Sequence, residues 1–315
     1  MLEIERAEGV FMYSATGEKY LDLISGVSVS NTGHHHPRVV QAVKEQVDAY
    51  MHLMVYGEII QSPQVKYAEY LAGFLPASLD YVYFVNSGSE AVEGALKLAK
   101  RFTGRSKIIS FENSYHGSTH GALSIQGSEE YRNAFRPLLP DTFRARFNDA
   151  DSLSIIDKRT ACVVIEPVQG EGGVIFPDKG FLELVRQKCT DTNSLLVFDE
   201  IQTGFGRTGH MFAIDRFKVV PDILLLAKAL GGGMPLGAFI SSGEIMSSLM
   251  SKPPLGHITT FGGHPVCCAA GLASMKVLTE ENLIESCSDK SKLFRDLLKH
   301  DLINVIRGEG LLLAV

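Results

Sequence analysis

Lys228 stands in the apolar run Ile223-Leu224-Leu225-Leu226-Ala227-Lys228-Ala229-Leu230, directly ahead of Gly231-Gly232-Gly233. An ammonium ion carries a large desolvation cost inside a core, so such a lysine is either solvated at a strand edge or held ready as a neutral amine. A neutral ε-amine can form a Schiff base with a cofactor aldehyde, and after amine exchange it can move a proton between neighbouring carbons.

Three other patterns bear on that choice. In Asn86-Ser87-Gly88-Ser89-Glu90-Ala91, Gly88 allows a tight turn. The free N–H groups and the Ser89 hydroxyl at a helix start can hold a dianionic phosphate, although a serine N-cap alone explains much of the pattern. In Tyr115-His116-Gly117, the aromatic ring can stack on a flat cofactor or simply pack at a surface turn. His116 can lie beside such a ring, but no nearby acid motif marks it as a general base. In Leu195-Leu196-Val197-Phe198-Asp199-Glu200-Ile201-Gln202, an apolar strand ends in two acids and an amide. Asp199 there can bind a metal, act as a base, or pair with a protonated ring nitrogen and make that ring an electron sink. Ile201 can press on the ring face and Gln202 can reach a ring oxygen. A dinucleotide site is disfavoured, because no Gly-x-Gly-x-x-Gly follows the first main-sheet strand.

The elements that must position these residues follow from apolar periodicity. Tyr81–Val85, Lys107–Ser110, Ala161–Ile165, Leu195–Phe198, Ile223–Leu226 and Ala238–Ile240 read as strands, with Glu90–Phe102 and Lys179–Cys189 as intervening helices. That alternation predicts a three-layer α/β sheet with ligands beyond the strand C-termini. Ahead of it, Gly9–Tyr13 and Lys19–Leu23 read as a hairpin, Pro37 opens a helix, and a second helix spans about Gln64 to Phe74. Beyond it, Asn282–Lys299 reads as a long connecting helix, and the chain ends in the apolar run Leu311–Val315. That run either pairs internally or points to missing later material, and the second is the expectation. The expected division is 1–50 as an N-terminal small-domain segment, 51–281 as the large domain, and 282–315 as the connecting helix and start of a C-terminal small domain.

With 315 residues, 45% of them hydrophobic, the chain can bury a sizeable core and reads as a soluble globular protein. Its 30 basic and 36 acidic side chains give a formal charge of -6 without a basic block, which argues against nucleic acid as a partner. No membrane span or signal core is apparent, so a cytoplasmic location is the default. The 5 cysteines form no Cys-x-x-Cys pattern and read as reduced packing residues.

With these residues in view, the sequence resembles the class III, fold-type I, pyridoxal-phosphate-dependent aminotransferases, in particular the acetylornithine, ornithine and 4-aminobutyrate group. The resemblance spans nearly the whole chain and rests on Phe198-Asp199-Glu200-Ile201-Gln202-Thr203-Gly204-Phe205-Gly206-Arg207-Thr208-Gly209 and Ala227-Lys228-Ala229-Leu230-Gly231-Gly232-Gly233. It implies the three-layer α/β/α fold with a mainly parallel sheet and pyridoxal 5'-phosphate as cofactor, with no metal. Lys228 would carry the covalent link and Asp199 would pair with the pyridine nitrogen. Gly88 and Ser89 would bind phosphate, Tyr115 would stack with His116 beside it, and Ile201 and Gln202 would complete the ring pocket. Thr260 would reach the phosphate of a neighbouring subunit, which implies a homodimer with shared sites. Glu166-Pro167-Val168-Gln169-Gly170-Glu171-Gly172-Gly173 resembles the loop in which Glu171 would gate substrate by pairing with an arginine that normally lies beyond residue 315.

Two positions depart from the family pattern. His264 stands where asparagine is common. Ser118 stands where acetylornithine-type members carry an arginine that grips a carboxylate, so a bidentate contact is lost. The implied reaction moves an amino group from an ω-amino acid or diamine to a 2-oxo acid such as 2-oxoglutarate or pyruvate, in two half-reactions. An aminomutase or decarboxylase using the same cofactor, or a non-catalytic α/β binding protein, is the alternative.

Overall fold

The structure is a computed structural model that describes residues 2–54 and 57–315. Three short strands, β1 (Ile4–Glu8), β2 (Phe11–Ser14) and β3 (Lys19–Leu21), form an antiparallel sheet at the N-terminus. The expected hairpin is β2–β3, turning through Gly17 at φ 84°. The added strand β1 is polar and exposed, so it has no apolar alternation to mark it. Helix α1 (Pro37–Ala49) and helix α2 (Ser62–Ala72) both carry proline in the first turn, where its missing N–H costs nothing.

The main body alternates β4 (Tyr81–Val85), α3 (Gly88–Thr103), β5 (Lys107–Phe111), β6 (Thr142–Ala145), β7 (Thr160–Ile165), α4 (Phe181–Thr192), β8 (Leu195–Asp199), β9 (Ile223–Leu226) and β10 (Gly237–Ser241). These strands form one seven-stranded sheet in the order β4-β10-β9-β8-β7-β5-β6. Strand β10 runs antiparallel to both neighbours, and the other neighbouring pairs are parallel. The C-terminal ends of β4, β5, β7, β8 and β9 therefore lie along one edge. Strand β6 was not expected from the sequence: it is an edge strand with a mixed exposed and buried pattern, so it lacks the apolar run that marks its neighbours.

Side chains alternate across this sheet and bury two separate cores. Val163, Ile165, Leu196, Phe198, Leu224 and Leu226 face one side, and Cys162, Val164, Leu195, Val197, Ile223 and Leu225 face the other. Helix α3 covers the second side with Ala91, Val92, Ala95, Leu96, Leu98 and Ala99, and it approaches so closely that a Cβ on Gly94 would meet the Phe239 ring at 2.3 Å. Helices α2, α4 and α5 (Pro265–Glu280) cover the first side through Tyr67, Leu71, Phe181, Val185, Cys268 and Met275. The result is the expected three-layer α/β/α arrangement with a mainly parallel sheet. Helix α1 packs against α5, and Arg38 pairs with Glu280 across them.

The expected helix from Asn282 to Lys299 is shorter. Asn282 takes a left-handed φ of 53° just after α5, so the chain turns there and helix resumes only as α6 (Cys287–Leu297). The terminal apolar run pairs internally: β11 (Arg307–Glu309) and β12 (Leu312–Ala314) form an antiparallel hairpin. Leu312 is buried there with Val168 and Val174. Among the described residues no helix is long and apolar enough to cross a membrane.

Candidate functional site

A parallel sheet brings its strand C-termini to one edge, and a cavity of about 460 Å³ opens there. Gly88, Ser89, Tyr115, His116, Asp199, Ile201, Gln202 and Lys228 all line it, carried at or just beyond the C-terminal ends of β4, β5, β8 and β9. Glu171 and Thr260 are not among the lining residues: both are exposed.

The turn after β4 is held by side chains rather than by the sheet. Ser87 is the N-cap of α3, its hydroxyl accepting from Glu90 N–H at 3.2 Å, so the serine cap that the pattern allowed is Ser87 and the Ser89 hydroxyl is not used as the cap. Glu90 in turn accepts from the Asn86 backbone N–H and from Asn86 Nδ2, both at 2.8 Å. Gly88 and Ser89 then occupy the first two helical positions, whose N–H groups have no partner within the helix and carry the positive end of its dipole. Ser89 Oγ accepts from Ser118 N–H at 3.2 Å, which joins this turn to the loop after β5. That contact requires Gly117: its φ is +122°, and a Cβ there would lie 2.1 Å from Ser89 Oγ.

Tyr115 is 40% exposed, so its ring can still cover a ligand at the cavity mouth, and its hydroxyl lies 3.3 Å from Ser118 Oγ. Ile201 lines the same cavity and is packed toward α3, since a Cβ on Gly88 would meet Ile201 Cδ1 at 2.9 Å. An aromatic ring and a branched aliphatic side chain in one cavity are surfaces that suit a flat ring.

Asp199 ends β8 almost fully buried. Oδ2 lies 2.7 Å from His116 Nδ1, and Oδ1 accepts from Ile201 N–H at 3.1 Å. Burial pulls the His116 pKa down, but the hydrogen bond and charge of Asp199, with help from Glu166, outweigh it and the net shift is upward. His116 Nε2 is buried without a partner. Lys228 follows β9, the strand hydrogen-bonded to β8, and takes a left-handed φ of 51°. Its burial lowers the amine pKa despite the opposing charges of Asp199, Glu171 and Glu166.

Sequence reasoning missed two buried carboxylates. Glu166, at the end of β7, lines the cavity, and burial raises its pKa to about 7. Glu200 is fully buried beside Asp199 but turns away, accepting from Ala213 N–H, Ile214 N–H and Thr203 Oγ1 at 2.5, 2.9 and 3.1 Å. Their signal was an acid directly after a continuous apolar strand. Glu171 sits on a turn closed by Val174 N–H on the Gly170 carbonyl, and its Oε1 accepts from Gln202 Nε2 at 3.4 Å. Arg307 Nε donates to the Gly173 carbonyl at 3.0 Å, so β11 tethers that turn. His264 is the N-cap residue of α5 and makes no side-chain cap bond. Among the described residues no group of His, Cys, Asp and Glu is arranged to hold a metal ion.

A family model described as aminotransferase class-III matches residues 1–315. The acetylornithine aminotransferase of Methanopyrus kandleri is 44% identical over 313 residues, covering 98% of this chain and 79% of that protein. A [LysW]-aminoadipate semialdehyde/glutamate semialdehyde transaminase of Sulfurisphaera tokodaii is 38% identical over 320 residues, covering 100% of this chain and 81% of that one. Among solved structures, the ornithine aminotransferase of Toxoplasma gondii superposes with a TM-score of 0.90 at 32% identity, over 98% of this chain and 76% of that chain.

Proposed function

Since the chain belongs to the class-III aminotransferases, a family of pyridoxal-phosphate enzymes of fold type I, we propose that its cavity moves the terminal amino group of an ω-amino acid or diamine to a 2-oxo acid. The observation that carries this reading is the meeting of the Lys228 amine and the Asp199 carboxylate in one cavity, at the ends of two hydrogen-bonded parallel strands. Pyridoxal phosphate, when bound, supplies an aldehyde that attaches amines reversibly and a ring that accepts electron density from a breaking C–H bond.

The donor set fits that group. The Gly88 and Ser89 N–H groups, with Ser89 Oγ, hold a phosphate at the helix start, where the dipole favours negative charge. Tyr115, Ile201 and Gln202, which line the same cavity, would hold the ring, the first two by apolar contact and Gln202 by its amide. Asp199 keeps a ring nitrogen protonated, while His116 donates Nδ1–H to Asp199 Oδ2 and orients it. Lys228, with its pKa lowered by burial, presents a neutral Nζ at more moderate pH than a solvated lysine, and this atom takes and returns the proton of the reacting carbon.

The relatives' named substrates are acetylornithine, ornithine and the semialdehydes of aminoadipate and glutamate, which favours a donor whose reacting amine sits at a chain terminus. Ser118 presents a hydroxyl beside Tyr115 instead of a cation, which keeps diamines in the donor class beside ω-amino acids. A homodimer with shared sites is supported by Thr260 lying outside its own cavity and by exposed apolar side chains that share a second cavity with β4, with Ile60 88% and Met250 74% exposed. A cytoplasmic enzyme suits the free thiols of Cys162, Cys189, Cys267, Cys268 and Cys287.

The test is amino transfer from a nitrogen-15-labelled terminal diamine to a separate 2-oxo acid, together with borohydride fixation and peptide mass mapping. The expected results are label in the amino acid formed and cofactor mass on Lys228, lost in Lys228→Ala. Absence of transfer between separate molecules, or cofactor mass on another lysine, overturns the reading.

A further inference from the structure

Glu166 is a buried carboxylate, 6% exposed at the end of β7, that the chemistry above does not use. Its two oxygens accept from different loops: Oε2 from Tyr115 N–H at 3.1 Å, and Oε1 from Gly170 N–H at 3.2 Å. Tyr115 opens the stacking loop, and Gly170 opens the turn that carries Glu171. Gly170 also packs against Gln202, since a Cβ there would lie 1.8 Å from Gln202 Oε1. One side chain thus ties the cavity wall contributed after β5 to the wall contributed after β7. The ionisable groups acting on it are His116, from the loop after β5, and Asp199, at the end of β8; Glu166 in turn acts on Lys228, after β9. A second carboxylate beside Asp199 in so dry a site is costly, and its retention calls for a compensating gain. A neutral amide of the same shape would accept from one of the two N–H groups and oppose the other.

We propose that Glu166 is a positioning residue of this cavity: its two backbone hydrogen bonds set the stacking loop and the Glu171 turn at a fixed separation. The proposal rests on the aminotransferase reading for what the cavity contains, but its own consequences are present in the apoprotein.

The experiment is amide hydrogen exchange read by NMR on apoprotein of wild type, Glu166→Gln and Glu166→Asp. In Glu166→Gln the Tyr115 or Gly170 amide exchanges about tenfold faster, as expected for loss of one net hydrogen bond. Glu166→Asp keeps both acceptor oxygens but is one methylene shorter, so it does not span the two loops and at least one of these amides also exchanges faster than in wild type. Wild-type exchange at both amides in Glu166→Gln overturns the proposal. Should that variant not fold, wild-type exchange at both amides in Glu166→Asp overturns it instead. In the loaded enzyme Glu166→Gln raises the donor KM while Lys228 is still fixed by borohydride. Failure of that fixation in wild type would strike the aminotransferase reading and leave the NMR result standing.

Discussion

Gly117→Ala is the substitution whose effect the structure sizes most directly. The added Cβ would lie 2.1 Å from Ser89 Oγ, 2.9 Å from Ser89 Cβ and 3.1 Å from Ser89 Cα. Rotating the serine hydroxyl relieves only the first contact, so the start of α3 must also shift. At a φ of +122° an alanine adds backbone strain of about 1–3 kcal/mol, which lowers apoprotein stability. Separately, the Ser89 hydroxyl leaves its place at the phosphate, and losing one hydrogen bond to a charged group costs about 1.5–3 kcal/mol. That converts to roughly 10- to 150-fold weaker cofactor binding. The assay is titration of apoprotein with pyridoxal phosphate followed by quenching of intrinsic fluorescence, which with Trp 0 and Tyr 10 comes from tyrosine. Thermal unfolding of the apoprotein runs beside it. Ser89→Ala is the control: it shows the affinity loss without the stability loss. Wild-type affinity in Gly117→Ala, with unfolding also unchanged, would refute both the packing argument and the placement of the phosphate at Ser89.

Asp199→Asn removes the charge that raises the His116 pKa while leaving the burial that lowers it, so the His116 midpoint falls below that of wild type by NMR. In wild type the raised folded-state value means that the pair's stabilisation is complete below the ordinary histidine value of 6.5 and is lost as pH rises through the folded value. The stability gained by this pair at about pH 5.5 relative to about pH 8.5, read by urea unfolding, therefore disappears in Asp199→Asn, and an unchanged pH profile would contradict the assignment. Ser118→Arg places a bidentate cation beside Tyr115 and raises kcat/KM for acetylornithine relative to a diamine by roughly tenfold or more; an unchanged ratio would mean that this loop does not face the donor. Mixing inactive Lys228→Ala subunits with weak Thr260→Ala subunits regenerates one intact site per mixed dimer if Thr260 serves the partner's cavity. No recovery of activity on mixing would place Thr260 in its own site or in none.

Much of the fold was legible because its signals are local. Strands β4, β5, β7, β8 and β9 are short apolar runs whose ends fall within a residue or two of where the sequence places them, and α3 and α4 carry the helical rhythm between them. What escaped lacked such a signal. Strands β1 and β6 are partly polar edge strands, and their pairing depends on a neighbour rather than on their own pattern. The break at Asn282 rests on a left-handed φ that an apolar periodicity does not register. The pattern at the start of α3 fitted both an anion site and a serine cap, and the structure gives the cap to Ser87 through its contact with Glu90 N–H.

Sequence alone determined the chemistry available to this protein, an amine in an apolar run, an acid closing an apolar strand, a glycine-rich helix start and an aromatic turn, and the family resemblance carried by the motifs around them implied the cofactor. Tertiary structure decided how those groups meet. His116 and Asp199 are 83 residues apart in the chain yet 2.7 Å apart in space, because parallel strands deliver their C-terminal loops to one edge whatever their separation in sequence. The same convergence buried Glu166 between two loops and left Glu171 and Thr260 outside the cavity, outcomes that depend on strand order, which local patterning does not specify.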